Sequence, residues 1–138
     1  MKASLLLAFF AAVPLIACAS RRPDDRPPPQ AQAIPEDPDG QFLKQLLAAG
    51  SDLSKPHNVD FFLYFPGERV ASRACSQLAA EGFVGKVDRA AKGPGWLCFV
   101  TKRLVPTHAA MVTIRRRMEG LAATGGGEYD GWGTPVSR

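Results

Sequence analysis

The sequence predicts an α+β fold from Gln41 onward, because β-favouring and helix-periodic segments alternate there. Two runs rich in aromatic and branched apolar residues, 59–65 and 96–105, are typical of buried central strands. Two other segments repeat apolar residues at intervals of three and four, as amphipathic helices do. Together these observations predict one sheet with helices packed on it.

A short helix opens the predicted domain, and a strand follows it. Gly50 ends the helix, and Pro66 and Gly67 bound the strand at 59–65. The helix is marked by a stripe of apolar residues, Phe42, Leu43, Leu46 and Leu47.

The middle of the domain contains a second helix and two further strands. The helix spans residues 68–81, has small and apolar side chains along one face, and stops at Gly82. A short strand at 83–88 follows, and a glycine- and proline-containing turn at 92–95 connects it to the strand at 96–105.

The last helix begins after Thr107, a residue type that caps helix N-termini well. Three glycines at 125–127 end it, and a final short strand at 128–136 contains Trp132. The side chains that this helix is expected to bury are Met111, Ile114, Met118 and Leu121.

After the first helix the element order is β-α-β-β-α-β. This order closes as a ferredoxin-like sandwich, in which a four-stranded antiparallel sheet carries two helices on one face. We expect the strands at 59–65 and 96–105 in the centre of the sheet, because they are the longest and most apolar. The strands at 83–88 and 128–136 are then its edges.

An uncharged apolar run precedes the domain and follows Lys2. It covers residues 3–16, which is too short for a membrane-spanning helix but has the length of a secretory signal core. The run ends in Leu15, Ile16, Ala17 and Cys18, which resembles the lipobox of bacterial lipoproteins. The resemblance implies removal of residues 1–17 and lipid attachment, with palmitate among the acyl chains, at Cys18. The domain would then lie in the periplasm, with the outer membrane favoured.

Residues 18–40 are interpreted as a tether, and residues 41–138 as the folded domain. Six of the chain's 12 prolines fall between residues 21 and 38. Proline fixes φ and lacks a backbone N–H, so this stretch favours extended polyproline II conformation.

Candidate catalytic and metal-binding groups are sparse. His57 and His108 lack metal-ligand spacing, and we expect both to be solvated imidazoles. Neither a Cys-x-x-Cys motif nor a phosphate-binding loop nor a nucleophile elbow occurs in the sequence. The formal net charge of +4 is scattered and does not indicate nucleic-acid binding. We therefore expect neither enzymatic activity nor a cofactor, a metal or direct contact with nucleic acid.

Two cysteines lie within the predicted domain. Cys75 is on the apolar face of the second helix, and Cys98 alternates with other apolar residues along the strand at 96–105. If the two faces meet, the sulfurs can form a disulfide. The alternative is two separate buried thiols, which we favour because the sequence does not supply the Cβ geometry that a bridge needs.

Two surface features have alternative interpretations. The strand at 59–65 has aromatic side chains on both faces, so one set must point away from the helices. These aromatics either form a protein interface or are covered by the first helix, which we slightly favour. The run Arg115, Arg116 and Arg117 is expected to face solvent, with contact to an acidic lipid or protein as the alternative.

The C-terminal motif Gly126, Gly127, Glu128, Tyr129, Asp130, Gly131, Trp132 resembles the ending of the RraB family, the regulators of ribonuclease E activity. Residues 50–57, 61–66 and 96–98 are similar to earlier segments of the same family. The likeness covers about residues 41–136. It implies a ferredoxin-like fold and a protein that binds the ribonuclease and restrains its activity without catalysis.

Two features depart from what the resemblance implies, which is an acidic, cytoplasmic protein. Residues 41–138 carry 13 basic and 8 acidic side chains, a formal charge of 13 − 8 = +5, and they follow an apparent export signal. We therefore expect a non-enzymatic protein-binding module, anchored to the membrane by lipid, with an envelope protein as its partner. The alternative is a cytoplasmic inhibitor of ribonuclease E that regulates RNA decay.

Overall fold

The computed structural model describes residues 33–138, which form three helices and four strands. Cys18, the rest of the lipobox and the tether up to residue 32 lie outside the described residues. In the described part, none of the helices is both long enough and apolar enough to cross a membrane. The elements in chain order are α1 (Pro38–Ala48), β1 (His57–Phe65), α2 (Glu68–Ala80), β2 (Val84–Arg89), β3 (Trp96–Leu104), α3 (His108–Thr124) and β4 (Glu128–Gly133).

The four strands form one antiparallel sheet in the order β2-β3-β1-β4. β1 pairs with β3 without a break, from His57 opposite Leu104 to Phe65 opposite Trp96. The two central strands and the two edge strands are those expected from their length and apolar content. The predicted α+β ferredoxin-like fold, with a short helix in front, is therefore confirmed.

The core lies between the sheet and the helices α2 and α3. Strand geometry turns every second side chain of β1 toward the helices, so Phe61 and Leu63 are completely buried. On α2 the residues facing the sheet include Ala71 and Ala74, whose small side chains allow the helix to approach closely. Each large apolar side chain buried here stabilises the fold by about 1.5–3 kcal/mol. The most deeply buried large side chains include Leu43, Phe61, Leu63, Leu78, Met111 and Met118.

α1 begins at Pro38, ahead of the predicted domain boundary at Gln41. The Asp37 side chain caps it by accepting a 2.8 Å hydrogen bond from the Gly40 N–H. Proline suits the first turn because its missing N–H would have no partner inside the helix. Gly40 is buried, and a Cβ added there would lie 1.8 Å from the Pro35 carbonyl oxygen. Residues 37–40, which the sequence analysis placed in the tether, therefore belong to the folded part.

β4 contains a bulge. Phe62 lies opposite Gly131 and Leu63 opposite Tyr129, so Asp130 is the extra residue. Gly131 has φ +127, a conformation that glycine adopts readily and other residues rarely. Because of the bulge, Tyr129 and the residue three positions later, Trp132, both face the helices.

The last residues leave the sheet earlier than expected. β4 ends at Gly133 rather than at residue 136, and Pro135 has no N–H for a ladder hydrogen bond. The segment instead follows the start of β1, where the Thr134 hydroxyl donates to the Asn58 carbonyl at 2.8 Å. The Ser137 carbonyl accepts a 2.8 Å hydrogen bond from the Asp52 N–H.

Candidate functional site

The sheet face opposite the helices carries an apolar patch. Phe62 and Tyr64 of β1 lie there beside their strand partners on β3, Phe99 and Leu97. The Phe62 and Phe99 ring centroids are 5.3 Å apart. All four side chains are half-buried, although they lie in the middle of the sheet. We call these four residues the sheet-face patch.

No helix of the described residues covers the sheet-face patch. α1, which we slightly favoured as its cover, packs on the other side of the sheet against α3 and β4. That prediction is wrong because two contacts hold α1 to Trp132, which faces the helices. The Trp132 indole N–H donates to Asp39 Oδ1 at 3.0 Å, and the Phe42 ring packs edge-to-face on the indole with centroids 4.5 Å apart.

Polar groups border the sheet-face patch. At one end the Thr101 hydroxyl donates a 2.6 Å hydrogen bond to Asp60. Along the edge strand β2, Lys86 and Asp88 form an ion pair at 2.7 Å. On the opposite side β4 contributes Gly131, which adds no side chain to cover the rings. An apolar centre with a polar rim is the usual anatomy of a protein–protein interface.

The C-terminal motif forms the turn into β4 and β4 itself. A Cβ added to Gly127 would lie 2.1 Å from the Tyr64 carbonyl oxygen, so glycine is needed for the close approach to β1. Gly126 has φ +65 and ends α3 in the left-handed conformation. Glu128 is exposed, while Tyr129 and Trp132 face the helices. The motif therefore serves mainly to build the fold rather than to present a binding surface.

Asp39 connects α1, α3 and β4. Its side chain is 4% exposed. Its Oδ2 forms an ion pair with the Nε of Arg115 at 2.8 Å, although the two atoms do not form a hydrogen bond with each other. Its Oδ1 accepts the Trp132 indole N–H. The charge is thus buried together with a cation and a donor, as a buried carboxylate requires.

A cleft opens beside these groups, with a volume of about 360 Å³. We call it the junction cleft because α1, α3 and β4 all contribute to its walls. Its wall residues include Asp39 and Phe42 of α1, Arg115 and Glu119 of α3, and Tyr129, Asp130 and Trp132 of β4.

The Tyr129 hydroxyl is buried in this region, and no group of residues 33–138 forms a hydrogen bond with it. Burial, followed by the negative charges of Asp39 and Glu119, raises the pKa of Tyr129 well above its usual value of 10.0. The phenol therefore stays neutral and keeps its proton to donate.

His57 is buried, so the prediction of a solvated imidazole is wrong for this residue. Its Nδ1 lies 2.8 Å from the Lys55 carbonyl and donates to it, which leaves Nε2 to accept the Ser51 hydroxyl at 2.8 Å. A serine beside an imidazole is the arrangement of a nucleophile and a base. Here Ser51 is only 5% exposed and accepts the Ser137 N–H, so the pair fastens the C-terminal segment.

His108 is half-buried rather than fully solvated. Its Nε2 lies 2.7 Å from Asp37 Oδ2 and joins the beginning of α3 to the cap of α1. The Gly40 N–H, and after it His108, holds the pKa of Asp37 below its usual value. Within residues 33–138, no cluster of three or more His, Cys, Asp or Glu side chains is arranged to hold a metal ion.

Cys75 of α2 and Cys98 of β3 are joined by a disulfide. The prediction of two separate thiols is wrong, because the inner face of α2 lies directly over β3. The Cα atoms are 5.8 Å apart, within the usual range for a bridge.

The three arginines of α3 have different surroundings. Arg115 is half-buried against Asp39 and so does not simply face solvent. Arg117 pairs with Glu81 at 2.5 Å, and Arg116 is exposed. The prediction that the run faces solvent therefore holds for Arg116 and Arg117, which are both exposed, and is wrong for Arg115.

Comparison with known protein families identifies one match. Residues 36–134, from the residues before α1 to the end of β4, match the family described as RraB, regulator of ribonuclease activity B. Comparison with curated proteins finds no match. The family description is that of a regulator acting on another protein rather than of a catalyst. The chain therefore belongs to the RraB family.

Proposed function

We propose that this chain is a non-enzymatic protein-binding module, anchored in the bacterial envelope through lipid on Cys18, with an envelope protein as its partner. The sheet-face patch carries the protein-binding half of the proposal. Rings on the central strands of a sheet are normally covered, yet no helix of the described part covers Phe62 and Phe99. A half-buried apolar patch that no helix of residues 33–138 covers, bordered by a polar rim, favours a partner surface.

Two observations favour the envelope half of the proposal. The first is the sequence ending in Cys18, which resembles a lipobox and follows an apolar run of signal-peptide length. The second is the disulfide between Cys75 and Cys98, since such bonds persist in oxidising compartments and are rare in the cytosol.

The second candidate function is inhibition of ribonuclease E in the cytoplasm. The family description favours it, because it names ribonuclease activity as the regulated property. The apparent export signal opposes it, because an exported domain cannot meet a cytoplasmic enzyme. Function resides in sites rather than in folds, so the family can keep its fold and change its partner.

Incorporation of labelled palmitate tests the anchor. We expect the wild-type chain to take up label and the Cys18→Ala variant to take up none, because the thioether forms only on that sulfur. A Cys75→Ser/Cys98→Ser variant serves as the control and should label like the wild type. Absence of label in the wild type would remove the anchor from the proposal.

Binding to purified ribonuclease E tests the second candidate. Our proposal predicts no complex at micromolar concentration, measured by isothermal titration calorimetry. A complex that is lost in Phe62→Ser but kept in Leu47→Ser would favour the second candidate instead. Leu47 is a suitable control, because it is an exposed apolar residue on α1, outside the sheet-face patch.

A further inference from the structure

We infer that the junction cleft receives a basic side chain, an arginine or a lysine, from the protein that this module binds. The inference rests on the proposed protein-binding function, because it assigns the occupant to a partner polypeptide. It concerns a different surface from the sheet-face patch, on the helix side of the sheet.

The charges of the cleft favour a cation. Its walls contain three carboxylates, those of Asp39, Glu119 and Asp130, against the single guanidinium of Arg115. Asp39 is already compensated by Arg115 and by the Trp132 N–H. Within residues 33–138, neither of the other two carboxylates has a basic group at ion-pair distance. A concave site with excess negative charge focuses the electric field inside it, and this field attracts a cation.

The walls of the cleft also suit a cation. Phe42, Tyr129 and Trp132 supply aromatic rings beside the carboxylates. Arginine and lysine are attracted to the faces of such rings, and the effect strengthens where water is excluded. The planar guanidinium stacks on rings as well, which makes arginine the better fit of the two.

The size of the cleft limits the occupant to something small. Its volume of about 360 Å³ is at the lower end of the range for ligand pockets. One side chain with its neighbouring backbone suits this volume, whereas a folded surface or a large cofactor does not. A metal ion is less suitable, because no three His, Cys, Asp or Glu side chains of residues 33–138, the carboxylates of the cleft included, are arranged to hold one.

Nuclear magnetic resonance of the ¹⁵N-labelled full chain in neutral detergent tests the inference. The probe is a capped Gly-Arg-Gly peptide, and its matched control replaces arginine with citrulline, which has the same shape without the charge. We expect the Trp132 indole and the Asp130 amide signals to shift with the arginine peptide. The citrulline peptide should bind at least about fivefold more weakly. A Trp96→Phe variant assigns the two indole signals.

Matched variants of the protein complete the test. The Glu119→Gln/Asp130→Asn variant removes both free carboxylates and should weaken binding of the arginine peptide about tenfold. The Glu68→Gln/Asp52→Asn variant removes the same charge from acids that lie outside both the cleft and the sheet-face patch, and it should bind like the wild type. Equal binding of the two peptides would overturn the inference. So would absence of a Trp132 shift at about 50 mM peptide, or shifts confined to the sheet-face patch.

The result is independent of the tests of the proposed function. Labelling and binding to ribonuclease E report on the anchor and on the sheet-face patch, and they can fail while the cleft still selects arginine over citrulline. The converse outcome, a confirmed anchor and a cleft that does not discriminate, would remove this inference alone.

Discussion

At the scale of single residues, Asp39 joins three elements that lie far apart in the chain. It accepts the Trp132 indole N–H, which belongs to a residue 93 positions away, and pairs with Arg115. A local sequence pattern does not reveal such contacts, and this is why the predicted position of α1 over the open face of the sheet is wrong. In the sequence, Asp39 next to Pro38 indicates only the first turn of a helix, and it does not indicate a contact with α3 or β4.

We expect Asp39→Ala to lower the free energy of unfolding by about 2 kcal/mol, because the indole N–H loses its charged acceptor and Arg115 its counter-ion. Urea denaturation measures the change. Asp88→Ala is the control, since its ion pair with Lys86 is exposed and should cost less than about 1 kcal/mol. Similar losses in the two variants would contradict the role given to Asp39.

Tyr129→Phe should have the opposite effect. Its hydroxyl is buried without a described partner, so its removal should stabilise the protein by about 1 kcal/mol at pH 7. Because burial raises the pKa of Tyr129 in the folded state above its usual value of 10.0, stability does not depend on the ionisation of this group below pH 10.0. Above that pH the unfolded phenol ionises first, and the folded state loses stability. The wild-type chain should therefore lose stability faster above pH 10 than Tyr129→Phe. A destabilised variant would point to a hydrogen-bond partner.

At the scale of elements, most of the secondary structure was predictable because its signals are local. β1, β3 and the two long helices appear as apolar runs or as apolar residues at helical spacing. The bulge in β4 also had a signal: Tyr129 and Trp132 are an odd number of residues apart, so they share a face only if a residue such as Gly131 interrupts the alternation. The end of β4 was overestimated because Pro135 was not weighed as a stop.

The N-terminus of α3 gives a test at this scale. The Thr107 hydroxyl accepts a 3.1 Å hydrogen bond from the Ala110 N–H, so Thr107→Ala should cost about 1 kcal/mol of stability. Thr113→Ala makes the same substitution inside the same helix, where the hydroxyl bonds only to the Ala109 carbonyl. It should be neutral or slightly stabilising, because alanine is the better helix former. Thermal denaturation of the two variants should rank them in this order.

At the scale of the whole molecule, the disulfide ties the helix layer to the sheet. The bridge between Cys75 and Cys98 spans a separation of 23 residues. The sequence places Cys75 on the apolar face of α2 but leaves open whether Cys98 faces it, and only the packing of α2 over β3 decides whether the sulfurs meet. The surroundings of His57 are likewise not local, because its partner Ser51 also binds Ser137 from the far end of the chain.

Removal of the bridge should lower the free energy of unfolding by about 3 kcal/mol, because the unfolded chain gains the freedom of an open loop. Urea denaturation of the Cys75→Ser/Cys98→Ser variant measures the loss. Addition of dithiothreitol should produce a similar loss in the wild-type chain and no change in the variant. A wild-type chain whose stability does not respond to the reductant would show that the thiols are already free in solution.

The two edge strands of the sheet, β2 and β4, affect whether copies of the protein associate at high concentration. β4 is short and kinked by its bulge, and β2 carries charged side chains such as Lys86 and Arg89. Such edge strands are poor templates for the addition of a strand from another molecule. Copies attached close together on a surface would therefore not associate through their edge strands. They would remain separate molecules even at high local concentration.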